Sequence, residues 1–163
     1  VTPGSDFNVT AGGAGITNWS DGFRYIYQQQ TGDFDVKVQV QSLTVAGNFS
    51  TAGILARASL AATSEDVYMS ASPVNYRFKH RDSNHANTNI VEGGAASYPN
   101  VWIRLSRVGN LFTGYTSSDG IHWTKLSSVT LNNMPTTIDL GLGVASNVAN
   151  LTTTAQLRGY GNT

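Results

Sequence analysis

Three cations occupy alternate positions in one short run of the chain. Arg77, Lys79 and Arg81 are separated by single aromatic residues. Because residues two apart on a β-strand project from the same face, these side chains would lie side by side. Guanidinium and ammonium groups bind carboxylate and sulfate groups. The spacing therefore predicts a basic face that binds an anionic polymer, such as a uronate or sulfated polysaccharide.

Two neighbouring features extend this prediction. Arg57 follows an apolar run, so it is a candidate for the same face, and the polar loop Asp82–Asn89 supplies Asn84 as part of a hydrogen-bonding rim. A second interpretation stays open at this point. In it, the cations form a solvated face and pair with carboxylates such as Asp35 and Asp82.

A tight turn fixes the register of another pair of predicted strands. Gly-Asn at 109–110 stands between two alternating apolar runs, and both residue types tolerate positive φ. With these two residues as the loop, Val108 pairs with Leu111. Counting back from the turn places Arg104 opposite Tyr115.

The same register places Trp102, Arg104 and Tyr115 on one face and the apolar residues of both strands on the other. Sugar rings present apolar C–H faces, so aromatic side chains with hydrogen-bonding neighbours form binding platforms for them. We predict that this cluster joins the basic strand on the concave sheet of the fold. The alternative is a local stack of Arg104 on Tyr115 with no ligand.

Hydrolysis of a glycosidic bond requires two carboxylates roughly 5–9 Å apart. Glu65 and Glu92 both lie in predicted loops, and Asp33 and Asp35 stand at the start of a predicted strand. We therefore expect no catalytic residues and no hydrolase activity. A polysaccharide lyase is the stronger enzymatic alternative, and it requires Tyr76, His80 and an arginine to converge in one cleft.

Metal ligands are sparse in this sequence. The chain has no cysteine, and its three histidines lack the spacing of a zinc site. We expect no required cofactor and assign no metal ligands. The carboxylates of Asp21, Asp33 and Asp139 are compatible with a structural calcium ion, since calcium binds oxygen ligands.

The segment Ser118-Asp119-Gly120 has the composition of a tight turn. Asp119 is placed to accept hydrogen bonds from turn amides, Gly120 to adopt positive φ, and Trp123 to pack beneath the hairpin. We predict a structural role for this turn.

Alternation with a period of two residues dominates the chain and predicts an all-β fold. Residues 59–65, with several alanines, are the one candidate for a helical turn. The predicted strands are 22–28, 34–41, 52–58, 67–72, 75–80, 101–108, 111–117, 122–126, 138–145 and 152–160.

Composition narrows the class of protein further. The 163 residues carry a formal net charge of zero, so we expect no nucleic-acid partner, and no apolar run approaches the length of a membrane span. We expect residues 1–163 to form a single domain that is one module of a longer protein.

Several segments, taken in order, resemble a bacterial concanavalin A-like (laminin-G-like) jelly-roll module. They are Asn-Trp-Ser-Asp-Gly-Phe at 18–23, Thr-Gly-Asp-Phe at 31–34, Ala-Gly-Ile-Leu-Ala-Arg at 52–57, Trp-Ile-Arg-Leu at 102–105 and Ser-Asp-Gly-Ile-His-Trp at 118–123. The resemblance implies a two-sheet antiparallel β-sandwich. It also implies a secreted or cell-surface module of the kind appended to polysaccharide-degrading enzymes.

From the residues and the resemblance together, we predict a non-catalytic carbohydrate-binding module that targets a linked catalytic domain to polysaccharide. A structural or adhesion spacer is the competing hypothesis. The predicted ligand-binding residues are Arg57, Arg77, Lys79, Arg81, Asn84, Trp102, Arg104 and Tyr115.

Overall fold

A computed structural model of the chain describes residues 4–163. Twelve β-strands form two antiparallel sheets of six strands each. The strands are β1 (Ser5–Ala11), β2 (Arg24–Thr31), β3 (Phe34–Leu43), β4 (Thr51–Arg57), β5 (Asp66–Ala71), β6 (Asn75–Arg81), β7 (Asn89–Ala95), β8 (Val101–Val108), β9 (Leu111–Ser117), β10 (Thr124–Thr130), β11 (Thr137–Ala145) and β12 (Thr153–Asn162).

The first sheet has the strand order β1-β12-β3-β8-β9-β10, and the second has the order β2-β11-β4-β5-β6-β7. The strands β8 to β10 and β4 to β7 are consecutive along the chain, whereas the other neighbours in each sheet come from distant segments, as in a jelly roll. The described residues contain no helix that is long and apolar enough to cross a membrane.

The core lies between the two sheets. Val36, Val38 and Val40 alternate with polar residues along β3, and all three valines are buried. Side chains such as Ile54 and Phe78 meet them from the second sheet in one continuous cluster. Burial of each large apolar side chain contributes about 1.5–3 kcal/mol relative to exposure. The alternation that predicted the strands therefore also determines which face of each sheet is the outer face.

The β8–β9 hairpin has the predicted register. Val108 pairs with Leu111 and Arg104 with Tyr115, and the turn residue Gly109 has φ of 60°. The predicted division of faces in this hairpin is confirmed.

Two strands and one turn differ from the sequence prediction. β1 and β7 were not predicted; β7 has no regular alternation and is exposed along most of its length, because it is an edge strand with few core contacts to make. Residues 59–65 form no helix. Instead, the amide of Ser64 donates to the carbonyl of Ala61, which closes a tight turn.

Residues 12–22 link β1 to β2 and cross the outer face of the second sheet; we call this segment the strap. Its Ile16 is buried against Leu55 and Tyr68 in a second apolar cluster, separate from the main core. Gly13 has φ of 98°, and a Cβ at this position would collide with the carbonyl of Gly22. The strap therefore covers the outer face of the middle of the second sheet, and the main core covers its inner face.

Candidate functional site

The predicted row of cations exists. Arg77, Lys79 and Arg81 project from the outer face of the second sheet, because the residues between them on β6 face the core. Arg57 on β4 faces the same way. Asp66 on β5 lies between Arg57 and Arg81 in register with both.

Two of these cations belong to a buried charge network. Arg57 Nη1 lies 2.6 Å from Asp21 Oδ2 and Arg81 Nη2 lies 2.7 Å from Asp21 Oδ1, while Arg81 Nη1 lies 2.9 Å from Asp66 Oδ2. The four side chains are at most 1% exposed. Asp21 belongs to the strap, so the network fastens the strap to the sheet. We therefore place Arg57 and Arg81 outside the candidate binding site.

The predicted ion-pair partners of the basic row were wrong. Asp35 pairs with Arg104 on the first sheet, and Asp82 contacts His80. The actual partners of Arg57 and Arg81 are Asp21 and Asp66, and Arg77 pairs with Glu92. Sequence spacing could not identify these partners, because the strap, β5 and β7 are brought to β6 only by the fold.

Burial also alters the titration of two groups on this face. Desolvation, followed by repulsion from Asp21, raises the pKa of Asp66 to about 7. Desolvation, followed by repulsion from Arg77, lowers the pKa of Lys79 to about 8. Both shifts follow from the burial of these side chains, since Asp66 is 0% and Lys79 is 4% exposed.

Beside the strap lies an open cavity of about 310 Å³, which we call the β6 groove. Its lining residues come from the strap, the loop between β3 and β4, the strands β6 and β7, and the loop after β11. They are Ala14, Thr17, Phe49, Arg77, Lys79, Ile90, Glu92 and Asn147.

The floor of the β6 groove is cationic and its rim is aromatic. The guanidinium carbon of Arg77 lies 4.8 Å from the centre of the Phe49 ring, and Phe49 is 60% exposed. Arg77 also pairs with Glu92 at 3.2 Å and donates through Nε to Asn75. Lys79 Nζ donates to the carbonyl of Ile16 at 3.1 Å. Two cations and one carboxylate leave the lining with a net positive charge.

Asn84 lies outside this groove. Its side-chain oxygen accepts a hydrogen bond from Thr63 at 2.6 Å, and its backbone amide donates to Glu65. Asn84 of the predicted hydrogen-bonding rim is therefore bonded to the loop between β4 and β5. The rim of the groove is formed instead by Phe49, Ile90 and Asn147. Only Phe49 has a feature visible in the sequence, since it is an isolated aromatic residue among polar ones.

The predicted union of Arg104 with the basic row is wrong. β8 pairs with β3 and β9, which places Trp102, Arg104 and Tyr115 on the outer face of the first sheet, whereas β6 belongs to the second sheet. Local contacts hold this cluster. The Arg104 guanidinium carbon lies 4.6 Å from the Tyr115 ring centre, and its nitrogens pair with Asp35.

Trp102 is half-buried beneath the turn that precedes β10. A Cβ at Gly120 would press on the Trp102 ring, and the Lys37 ammonium lies 6.0 Å from the ring centre. The turn has the predicted structure, since Asp119 accepts from the amides of Ile121 and His122 and Gly120 has φ of 73°. The side chain of His122, followed by these amides, lowers the pKa of Asp119.

The residues required for a lyase do not converge. Tyr76 and His80 lie on the core-facing side of β6, opposite to Arg77. The Tyr76 hydroxyl donates to the carbonyl of Ser117 in the interior, and His80 contacts Asp82. These positions give no support to a lyase that uses Tyr76 and His80 as its catalytic residues.

Two of the three carboxylates considered for calcium already have protein partners. Asp21 faces two arginines, and Asp33 accepts from the amide of Gly109. Between residues 4 and 163, no group of three or more His, Asp or Glu side chains is arranged to hold a metal ion. These carboxylates do not fit a shared calcium site, and the expectation that the protein requires no cofactor stays a prediction.

Comparison with known proteins places the fold but not the family. No protein-family model matches the sequence, and no curated protein matches it. Solved structures do match. A functionally unknown protein from Saccharomyces cerevisiae has a TM-score of 0.75 and 13% sequence identity, over 99% of this chain and 92% of the yeast chain.

Three further matches are a carbohydrate-binding module, a polysaccharide lyase and a GH43 protein. The carbohydrate-binding module CBM66 from Bacillus subtilis has a TM-score of 0.51 and 14% identity, over 99% of this chain and 94% of the module. The family 7 alginate lyase A1-II' has a TM-score of 0.60 and 8% identity, over 97% of this chain and 78% of the lyase. The chain spans 33% of the length of the GH43 protein BlXynB from Bacillus licheniformis. The protein is a jelly-roll β-sandwich, a fold that these binding and catalytic proteins share.

Proposed function

We propose that this protein is a non-catalytic carbohydrate-binding module and that the β6 groove binds an acidic sugar unit of a polysaccharide. One observation carries the proposal: an exposed aromatic ring and two cations line the same open cavity on the outer face of the second sheet. The groove supplies apolar contact and charge within the space of one or two sugar units.

Each lining group has a defined role in this proposal. The exposed Phe49 ring packs against the C–H face of a sugar, and the Arg77 guanidinium, held beside that ring, donates to a carboxylate or sulfate. Lys79 adds a positive charge at the floor. Asn147 is held in place because its amide nitrogen donates to the carbonyl of Phe49. The groove is thus preformed, which reduces the entropy lost on binding.

A binding role fits the groove better than catalysis. Its lining contains one carboxylate, Glu92, whereas hydrolysis requires two that flank the bond. Glu92 is paired with Arg77 and largely exposed, which is unlike the desolvated surroundings of a general acid. We expect dissociation constants of roughly micromolar to millimolar, because sugar hydroxyls exchange bonds with water for bonds with protein.

The proposal includes a location and a partner. The likeness of the fold to a carbohydrate-binding module and to part of a GH43 protein supports a secreted module linked to a catalytic domain. In that setting, binding raises the local concentration of the enzyme on its substrate.

Affinity electrophoresis in gels that contain acidic or neutral polysaccharides tests this function. We expect an acidic polymer to retard the protein, and Arg77→Gln to weaken retardation at least tenfold. Phe49→Ala should weaken it as well. Arg158→Gln and Val45→Ala are matched controls, since Arg158 is a partly exposed arginine of the first sheet and Val45 is exposed in the same loop as Phe49.

Three outcomes would contradict the proposal. Retardation that Arg77→Gln leaves unchanged would exclude the β6 groove. Formation of unsaturated products, detected by their ultraviolet absorbance, would show that the protein is a lyase. No retardation by any polymer would favour a structural or adhesion spacer.

A further inference from the structure

A second recess lies on the other side of the molecule. It has a volume of about 480 Å³ and borders the β8–β9 turn on the first sheet. We call it the Arg104 cleft. Its lining residues are Asp33, Phe34, Asp35, Arg104, Ser106, Arg107, Val108 and Tyr115.

The polar groups of the Arg104 cleft are held in a fixed arrangement. Arg104 Nε donates to Asp35 Oδ1 at 2.7 Å, and Nη2 donates to Oδ2 of the same carboxylate. The Tyr115 ring packs against the guanidinium of Arg104. The guanidinium carbon also lies 5.8 Å from the centre of the Trp123 ring. Arg104 and Asp35 are 21% and 39% exposed, so both are accessible to a ligand. This is a rigid donor–acceptor pair beside an aromatic ring.

Such a pair complements two neighbouring hydroxyl groups of a sugar. A guanidinium has five N–H donors and a carboxylate has about four acceptor sites, so their mutual hydrogen bonds leave groups of both kinds for a ligand. One sugar hydroxyl accepts from Arg104 while the next donates to Asp35. The charges of the pair cancel, and therefore this cleft has no reason to select an acidic sugar.

We infer that the Arg104 cleft is a second glycan-binding site, which takes neutral sugar units through two neighbouring hydroxyls. The site differs from the β6 groove in charge as well as in position. The β6 groove lies on the outer face of the second sheet, whereas the Arg104 cleft lies beside the β8–β9 turn at one end of the first sheet. Because the two recesses belong to different sheets, which pack about 10 Å apart, we expect a stiff polysaccharide chain to occupy one recess at a time.

A consequence follows for the whole module, and it rests on the proposed function of the β6 groove. A protein with two outward-facing sites holds two polysaccharide chains together. It bridges chains rather than binding one chain twice.

Nuclear magnetic resonance titration of the full isotope-labelled chain with neutral hexasaccharides of glucose and of xylose tests the second site. We expect shifts of amides in β8 and β9 around Arg104 and Tyr115. Arg104→Lys keeps the charge but loses the planar fork, and should weaken binding at least tenfold. Tyr115→Leu is a second variant that leaves the Arg104–Asp35 pair intact, and it should also weaken binding. Arg158→Lys, on the same sheet, should have no effect.

The outcomes separate this inference from the proposed function. Unchanged affinity in Arg104→Lys and Tyr115→Leu, shifts confined to the β6 groove, or no neutral binding would overturn the second site. Retardation by an acidic polymer that depends on Arg77 would still stand in each of these cases. Bridging is measured by light scattering with a polymer that contains acidic and neutral units: wild type should enlarge the particles, and Arg77→Gln or Arg104→Lys should not.

Discussion

At the scale of single residues, the same side-chain type has different roles at two positions of one strand, β6. Arg81 is completely buried and neutralised by two aspartates, whereas Arg77, four residues earlier, lines an open groove. The difference comes from the strap, which places Asp21 against Arg81, whereas Arg77 lies under the Phe49 ring and borders the groove although it is only 5% exposed. Alternation of cations along a strand therefore identifies a face but not the accessible part of it.

Asp66 should make stability depend on pH. Its pKa is raised from 3.8 to about 7, chiefly by burial, so the folded state favours the protonated form. The stabilisation is fully present below the ordinary aspartate pKa and is lost as pH rises through about 7. We expect the free energy of unfolding to decrease over this interval, as measured by urea denaturation at several pH values.

The variant Asp66→Asn is the control for this effect, because it cannot titrate. Its stability should vary less with pH over the same interval, whatever its absolute stability. An equal pH dependence in both proteins would show that Asp66 is not the responsible group.

At the scale of elements, the strap shapes the binding face. It contributes Ala14 and Thr17 to the β6 groove, and its Ile16 carbonyl accepts from Lys79. Its attachment combines a buried apolar side chain with the charge network around Asp21. The groove therefore depends on a segment that is not part of either sheet.

Truncation of the strap anchor should destabilise the protein. Ile16 is 1% exposed, so Ile16→Ala should reduce the free energy of unfolding by about 2–5 kcal/mol. Ile121 is 74% exposed, and Ile121→Ala should change it by less than about 0.5 kcal/mol. Denaturant titration of both variants measures the difference. Equal effects would mean that the strap contributes no packing energy.

The sequence predicted individual elements well where one face of a strand is buried. The alternation on β3 and the Gly-Asn turn at 109–110 indicated the correct strands and the correct register. The edge strand β7 was missed because it lacks a buried face. The placement of β6 and β8 in different sheets could not be predicted, since it depends on pairing between distant strands.

At the scale of the whole molecule, the candidate sites were only partly predictable. Arg77 and Lys79 are in the β6 groove as expected from their spacing, but Phe49 and Asn147 reach it from loops far away in sequence. Loop residues carry no periodicity, so nothing in their local sequence shows which face they approach. The predicted single ligand face is divided between two sheets.

Treatment with a chelator tests whether the fold requires a bound calcium ion. A structural calcium ion that binds only the folded state would raise the melting temperature, and a chelator would lower it. Since Asp21 and Asp33 already have protein partners, we expect a chelator to leave the melting temperature unchanged. A decrease that added calcium reverses would reveal a site made of other ligands.

Because β4 and β5 are buried on both faces, they open more slowly than the edge strands of the sandwich. The main core covers one side of these strands, and the strap with its apolar cluster covers the other. Water reaches their amides only when both coverings separate, whereas the edge strands β7 and β10 exchange through local opening. The centre of the second sheet therefore opens only when the whole molecule unfolds. The edges of the sandwich open and close many times between such events.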